Sequence, residues 1–148
     1  MNFYLLRHDN SNSKWKKTKT YYELVQDIRV IFSDRENNIY DLKIKKGFRT
    51  DGLTIPKPFT WFLDRWDDKN CIYNLAGIVH DALYCIAGRN ERGRNLTREQ
   101  CDDVFRGILR DSGISRFKAG VADKCIEYFA KSHFDSDEYD NYHFIIFR

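Results

Sequence analysis

His80 and Asp81 stand side by side in GIVHDALY (77–84), a segment whose other residues read as the buried face of a helix. Tyr84 follows one helical turn later and shares the face of the histidine. In a second helical segment Asp102 falls on a stripe with Phe105 and Leu109, whereas Asp103 points with Arg106 and Arg110. Asp102 is therefore a carboxylate on an apolar face, and His80 is in the same position on the preceding helix. A buried carboxylate left without a partner costs several kcal/mol or takes up a proton. Two helices joined by a short connection pack antiparallel. The economical solution is that His80 and Asp102 bond each other, with Tyr84 offering its hydroxyl to the same carboxylate.

Such a trio supports two kinds of behaviour. It can be a structural hydrogen-bond network that fixes how two helices pack. Alternatively, Asp102 sets the tautomer of His80 and leaves the other ring nitrogen to take a proton from water. Asp81, turned about 100° around the helix from His80, could then hold a metal ion.

The elements that must position these groups can be read from periodicity. TYYELVQDIRVIF (20–32) is rich in aromatic and β-branched residues and reads as a strand, and SDRENN (33–38) as a polar turn. Tyr40, Leu42, Ile44 and Phe48 then alternate with Asp41, Lys43, Lys45 and Gly47, the mark of a half-buried strand. A β-hairpin over 20–48 is expected, followed by an ordered loop over 49–69 that holds Asp51-Gly52 and both prolines. From about Asn70 the period is helical, with Tyr73, Ala76, Gly77, His80, Leu83, Tyr84 and Ala87 on one stripe. GRNERGRN (88–95) interrupts it, and Thr97 with Gln100 has the spacing of a capping box. That second helix runs to about Ser112, where Gly113 is a stop signal. A third helix is expected over 115–131, which makes 70–131 a helical core and 132–148 a tail in which YHFIIF can return as a strand. The whole reads as one α+β domain over 1–148, with a bundle of about three helices after the hairpin.

Composition narrows the classes of function. With 25 basic and 22 acidic residues, the net charge of +3 points away from nucleic acid as a partner. The basic run SKWKKTK (13–19) and the acidic run FDSDEYD (134–140), flanked by His133 and His143, read as solvated surface. Cys71, Cys85, Cys101 and Cys125 show neither a C-x-x-C pattern nor zinc-finger spacing, and are expected to be free thiols. No signal peptide is visible, and no apolar run approaches the ~20 residues needed to span a bilayer, so a cytoplasmic location is expected. P-loop, dinucleotide and nucleophile-elbow patterns are absent. HD phosphohydrolases need a further upstream histidine as a metal ligand, and between His8 and His80 there is none.

HDALY followed by REQCDDVF resembles the secreted phospholipases A2, bacterial ones above all. The resemblance implies an antiparallel helix pair with His80 activating water, Asp81 binding calcium, and Tyr84 and Asp102 orienting the histidine. The glycine-rich calcium loop and the disulfides of that family have no counterpart here. A second resemblance spans 47–105: GFRTDGLTIP, then HDALY, then REQCDDVF is similar to a phage-associated family of unknown function. Its pattern is Thr-Asp-x-Ala-Ser-Ile-Pro, His-Asp-x-Leu-Tyr, then Ala-Asp before a phenylalanine. Leu53 and Thr54 here replace its small pair, and Cys101 its alanine. The pattern puts Asp51 in the loop before the His-Asp helix, where a calcium ligand would stand, with Thr50, Gly52 and Thr54 as neighbouring binding positions. Calcium takes six to eight oxygens, many of them backbone carbonyls.

The expected function is thus a phage-encoded, metal-assisted ester hydrolase with a lipid or other ester as substrate. The competing expectation is a non-catalytic phage protein that binds a host or virion protein, with the trio purely structural. Either would act in the cytoplasm of an infected bacterial host or in the virion. A groove leading from solvent to His80 would separate the two.

Overall fold

The computed structural model describes residues 3–52 and 63–148. In chain order they form β1 (Phe3–Asp9), β2 (Trp15–Lys17), β3 (Tyr22–Leu24), β4 (Ile28–Asp34), β5 (Ile39–Ile44) and β6 (Arg49–Thr50). Three helices follow, α1 (Cys71–Cys85), α2 (Arg98–Arg110) and α3 (Arg116–Phe129), and the tail returns as β7 (Ile145–Phe147). The fold is α+β, with one antiparallel sheet in the order β1-β4-β5-β7 and a small one in the order β2-β3-β6.

Alternation builds the hairpin β4–β5. Ile28, Val30 and Phe32 face the core opposite Ile44, Leu42 and Tyr40, while Arg29 and Lys43 face solvent. Its turn is held by Asp34, whose carboxylate accepts from the backbone of Glu36 and Asn38, with Asn37 at a φ of 62°. The single strand expected over 20–32 is instead two strands in different sheets. The chain leaves β3 after Leu24, and Leu24 exchanges backbone hydrogen bonds with Gly47 and Phe48, not with the β5 region. Gly47 makes this possible, at a φ of 104° and under the Phe144 ring. Phe48 thereby enters the core, wholly buried.

Two further strands lack the regular alternation. β1 carries a bulge between Leu5 and Arg7 that shifts its register on β4. β2 lies within the basic run, so that run is part of a sheet and Trp15 packs edge-on against Trp66 at 5.2 Å. In the tail, β7 pairs with β5, and Phe147 is buried against Phe32 and Tyr40.

Each helix starts on a side-chain cap, Asn70 for α1, the Thr97–Gln100 capping box for α2, and Ser115 for α3. The α1–α2 pair is antiparallel. Asn70 at the start of α1 bonds the Ser112 carbonyl beyond α2, at 2.9 Å, and Tyr84 near the end of α1 reaches Asp102 near the start of α2. Between Tyr73 and Cys85 every residue of α1 except Asp81 is buried, which makes α1 the central helix. Opposite, α2 approaches β1 so closely at Gly107 that a Cβ would come within 2.6 Å of the Phe3 carbonyl oxygen. Side chains from both sheets and all three helices join one buried cluster. Among the described residues, no helix is long and apolar enough to cross a membrane.

Candidate functional site

Helical spacing puts His80 and Tyr84 on one face of α1, and the antiparallel packing of α2 brings Asp102 opposite both. His80 Nε2 lies 2.8 Å from Asp102 Oδ1, and the Tyr84 hydroxyl donates to the same oxygen at 2.6 Å. Arg98, one turn before Asp102, approaches its Oδ2 at 3.5 Å. His80 and Asp102 are each 2% exposed, so this is an interior network. The Tyr84 ring lies tilted on the imidazole at 4.0 Å between centroids, and Phe105 closes it edge-on at 5.4 Å.

The electrostatics select one protonation state. Burial lowers the pKa of His80, and the bond to Asp102 opposes this without overcoming it, so the ring is neutral near pH 7. Burial by itself would raise the Asp102 carboxyl. Hydrogen bonds from His80 and Tyr84 outweigh that and hold it below the ordinary value. An ionised carboxylate only accepts, so the neutral ring must carry its proton on Nε2 and present Nδ1 as an acceptor. Among the described residues, none hydrogen-bonds to Nδ1.

Asp81 points away from this trio toward the loop after β6. Thr50, fully buried, donates its hydroxyl to Asp81 Oδ2 at 2.5 Å and accepts from the backbone N–H of Gly52 at 3.1 Å. Gly52 has a φ of 86° and packs so tightly that a Cβ would run into the Arg65 carbonyl. Asp51 lies between these two anchors. Asp81 as a residue is only half-buried, but its carboxyl points inward to Thr50, where loss of water raises it well above its usual range. The neighbouring charges of Asp51 and Glu138 raise it further, with Thr50 opposing. Asp51 is exposed, yet its carboxyl is raised too, first by the partial loss of water around it and then by the Glu138 charge.

The structure thus brings together His80, Tyr84 and Asp102 on one face of α1, and Asp81, Thr50, Asp51 and Gly52 about 100° around the helix from it. Thr54 lies outside the described residues. Asp81 and Asp51 offer the hard oxygens that calcium takes, and their mutual repulsion is what a cation would relieve. Among the described residues, however, no group of three or more His, Cys, Asp or Glu side chains is placed to hold a metal ion. Backbone carbonyls and water would have to supply most of the coordination.

Two partners escaped the sequence reading. Arg98 stands four residues before Asp102, a helical spacing that signals such a contact. Glu138 belongs to the acidic run read as plain surface. That run is mostly exposed, but the Asp135 N–H bonds the Tyr84 carbonyl at 2.8 Å and brings the segment alongside α1. Beside Asp51 opens a cleft of about 400 Å³ whose walls include Lys17, Tyr22, Arg65 and Trp66; His80 does not line it.

The family described as "Protein of unknown function (DUF1353)" matches residues 22–123, more than half of the chain. The chain belongs to this family. The DUF1353 match runs from β3 into α3 and so takes in the Thr50–Gly52 loop, all of α1 and all of α2. No curated protein and no solved structure matches the chain.

Proposed function

We propose that this DUF1353 protein is a hydrolase of esters, a lipid ester among the candidates, in which His80 is the general base. The observation that carries the reading is the 2.8 Å bond from His80 Nε2 to Asp102, because it turns a neutral Nδ1 lone pair away from the carboxylate. In the reaction Nδ1 takes a proton from water as the water oxygen attacks the ester carbonyl carbon. When the C–O bond breaks, His80 returns that proton to the departing alkoxide. Asp102 stabilises the transient imidazolium, and Tyr84 and Arg98 hold Asp102 in place. These three are positioning residues. Calcium bound by Asp81 and Asp51 would polarise the ester carbonyl. Thr50 orients Asp81 toward that loop. The setting we propose is a phage-infected bacterial cell or the virion.

A second reading rests on burial. His80 is only 2% exposed, and the cleft described by the structure reaches Asp51 without reaching the ring. On this reading the trio packs two helices of a protein that binds a host or virion partner.

Turnover on a panel of esters and phospholipids, with and without calcium, separates the two. The hydrolase reading expects wild-type turnover and a loss of at least about a hundredfold in His80→Gln, the usual share of a general base. Glutamine keeps a donor for Asp102, so stability should fall by no more than about 1–2 kcal/mol. No wild-type turnover on any substrate, or equal turnover in a folded His80→Gln protein, overturns the hydrolase.

A further inference from the structure

The basic run at the start of the chain is not explained by the hydrolase chemistry. Its residues line the cleft beside Asp51. Lys17 ends β2 directly opposite Tyr22 on β3, and its Nζ sits 5.9 Å over the Tyr22 ring. Tyr22 stacks on Trp66 at 4.4 Å and 13°, and Trp66 is held in turn by Trp15 at its edge and by Asp68 on its Nε1. The connection between the strands is equally fixed. The Thr18 hydroxyl donates to the Tyr21 carbonyl at 2.8 Å and accepts the Tyr21 N–H at 3.0 Å. One wall is therefore a preformed aromatic platform and the rim a rigid turn.

The groups presented there are mostly donors and cations, Lys17, Lys19 and Arg65, with Asp64 and Asp51 as the acids. Lys17 and Lys19 are both exposed, and among the described residues neither is drawn into an ion pair that would take it out of the cleft. Two ammonium groups flanking an aromatic wall suit a compact anion with several acceptor oxygens, joined to a body that can lie on the rings.

We infer that this cleft binds a phosphate-bearing ligand, with Lys17 and Lys19 on the phosphoryl oxygens and the Tyr22–Trp66 platform under its organic part. Asp51 is one of the residues that line the cleft. If the hydrolase reading holds, the ligand is the substrate and its ester lies toward the Asp51–Asp81 side. Phosphate binding itself does not depend on that reading. The phosphoryl group can belong to a soluble phosphate ester or to a lipid head group.

Amide chemical shifts in nitrogen-15-labelled protein, titrated with inorganic phosphate and with sn-glycerol 3-phosphate, test this directly. A parallel arm uses co-sedimentation with phosphatidylglycerol vesicles against phosphatidylcholine vesicles. Saturable shifts at Lys17, Lys19 and Tyr22, weakened at least tenfold in Lys17→Ala/Lys19→Ala, identify a soluble phosphate ligand. Binding confined to phosphatidylglycerol vesicles and lost in the same variant identifies a head group. Both lysines are exposed, so the variant should keep the wild-type melting temperature. An absence of binding in both arms, or equal binding by the variant, overturns the inference. His80→Gln should bind phosphate like the wild type, so failure of the hydrolase would leave this result standing.

Discussion

His80 donates Nε2–H to Asp102 across 2.8 Å between two antiparallel helices; this bond settles the tautomer of the ring, and burial settles its charge. Desolvation favours a neutral imidazole, and the carboxylate favours its proton on the nearer nitrogen. The ring is thus held in the form a general base needs, whether or not a substrate reaches it.

Burial of the ring has a consequence for stability against pH. The folded-state pKa of His80 lies below its ordinary 6.5, so between the two values the unfolded chain binds the proton and the native one does not. Stability contributed by the neutral ring is complete above about pH 6.5 and is lost as pH falls. Asp102, whose folded pKa is depressed below 3.8, adds a second loss further down, as pH falls through that folded value. The melting temperature of wild type should therefore drop relative to His80→Gln from about pH 6.5 downward. A constant difference between the two proteins from pH 8 to 5 would contradict a buried neutral ring.

The carboxylate is the centre of the network, and its removal should cost more than the removal of any donor. Asp102→Ala leaves His80 Nε2–H and the Tyr84 hydroxyl buried without their acceptor, at about 1–3 kcal/mol each. Tyr84→Phe removes one donor together with its need for a partner, and Asp102 still accepts from His80, so about 1 kcal/mol is expected. Urea unfolding of the two variants checks the order. A Tyr84→Phe loss equal to that of Asp102→Ala would mean that the network is not centred on the carboxylate.

The helical half was legible because its signals are local. Stripes of period 3.6 and the Thr97–Gln100 capping box mark the helices, and the inward stripes of two adjacent helices leave His80 and Asp102 little choice but each other. The β half hides its turning points. Glu23, Asp27 and Arg29 sit in a stretch that looks like one strand, and the switch of sheet after Leu24 is decided by pairing with residues 47–48, far along the chain. The bulge in β1 erases its alternation. The site's second half was only partly visible for the same reason. Thr50 and Asp51 could be named from a pattern, but the approach of Glu138 depends on how the tail crosses the end of α1, and the platform under Lys17 on Trp66 arriving from beyond the loop.

Thiol chemistry gives an independent check on the packing. All four cysteines are free, and three of them, Cys85, Cys101 and Cys125, are buried. Burial raises all three thiols, that of Cys101 to about 12, so they are poor nucleophiles in the native state. Only Cys71 is partly accessible. Ellman's reagent should titrate one thiol in the native protein and four in urea, and the mass under non-reducing conditions should equal the reduced mass. Rapid native labelling of several thiols would contradict the packing of α1 against α2.

Asp81 offers the sharpest test, because its native setting works against its charge. Its folded pKa lies well above 3.8, raised by burial and by Asp51, so over that window the native state binds the proton and the unfolded chain does not. Stability from this residue is therefore greatest at acid pH and falls as pH rises toward the folded pKa, the opposite sign to His80. Asparagine keeps an oxygen to accept the Thr50 hydroxyl and removes the charge. In EDTA, Asp81→Asn should melt higher than wild type at pH 8, with the advantage shrinking toward pH 4. Calcium then distinguishes a ligand from a merely strained acid. If Asp81 and Asp51 hold the ion, calcium at about a hundred times its Kd adds about 2.7 kcal/mol to wild type and nothing to Asp81→Asn. Wild type that melts at the same temperature in calcium and in EDTA would remove the metal from the proposed mechanism. Asp81 would then be left as a carboxyl bound to Thr50 in a setting that works against its charge.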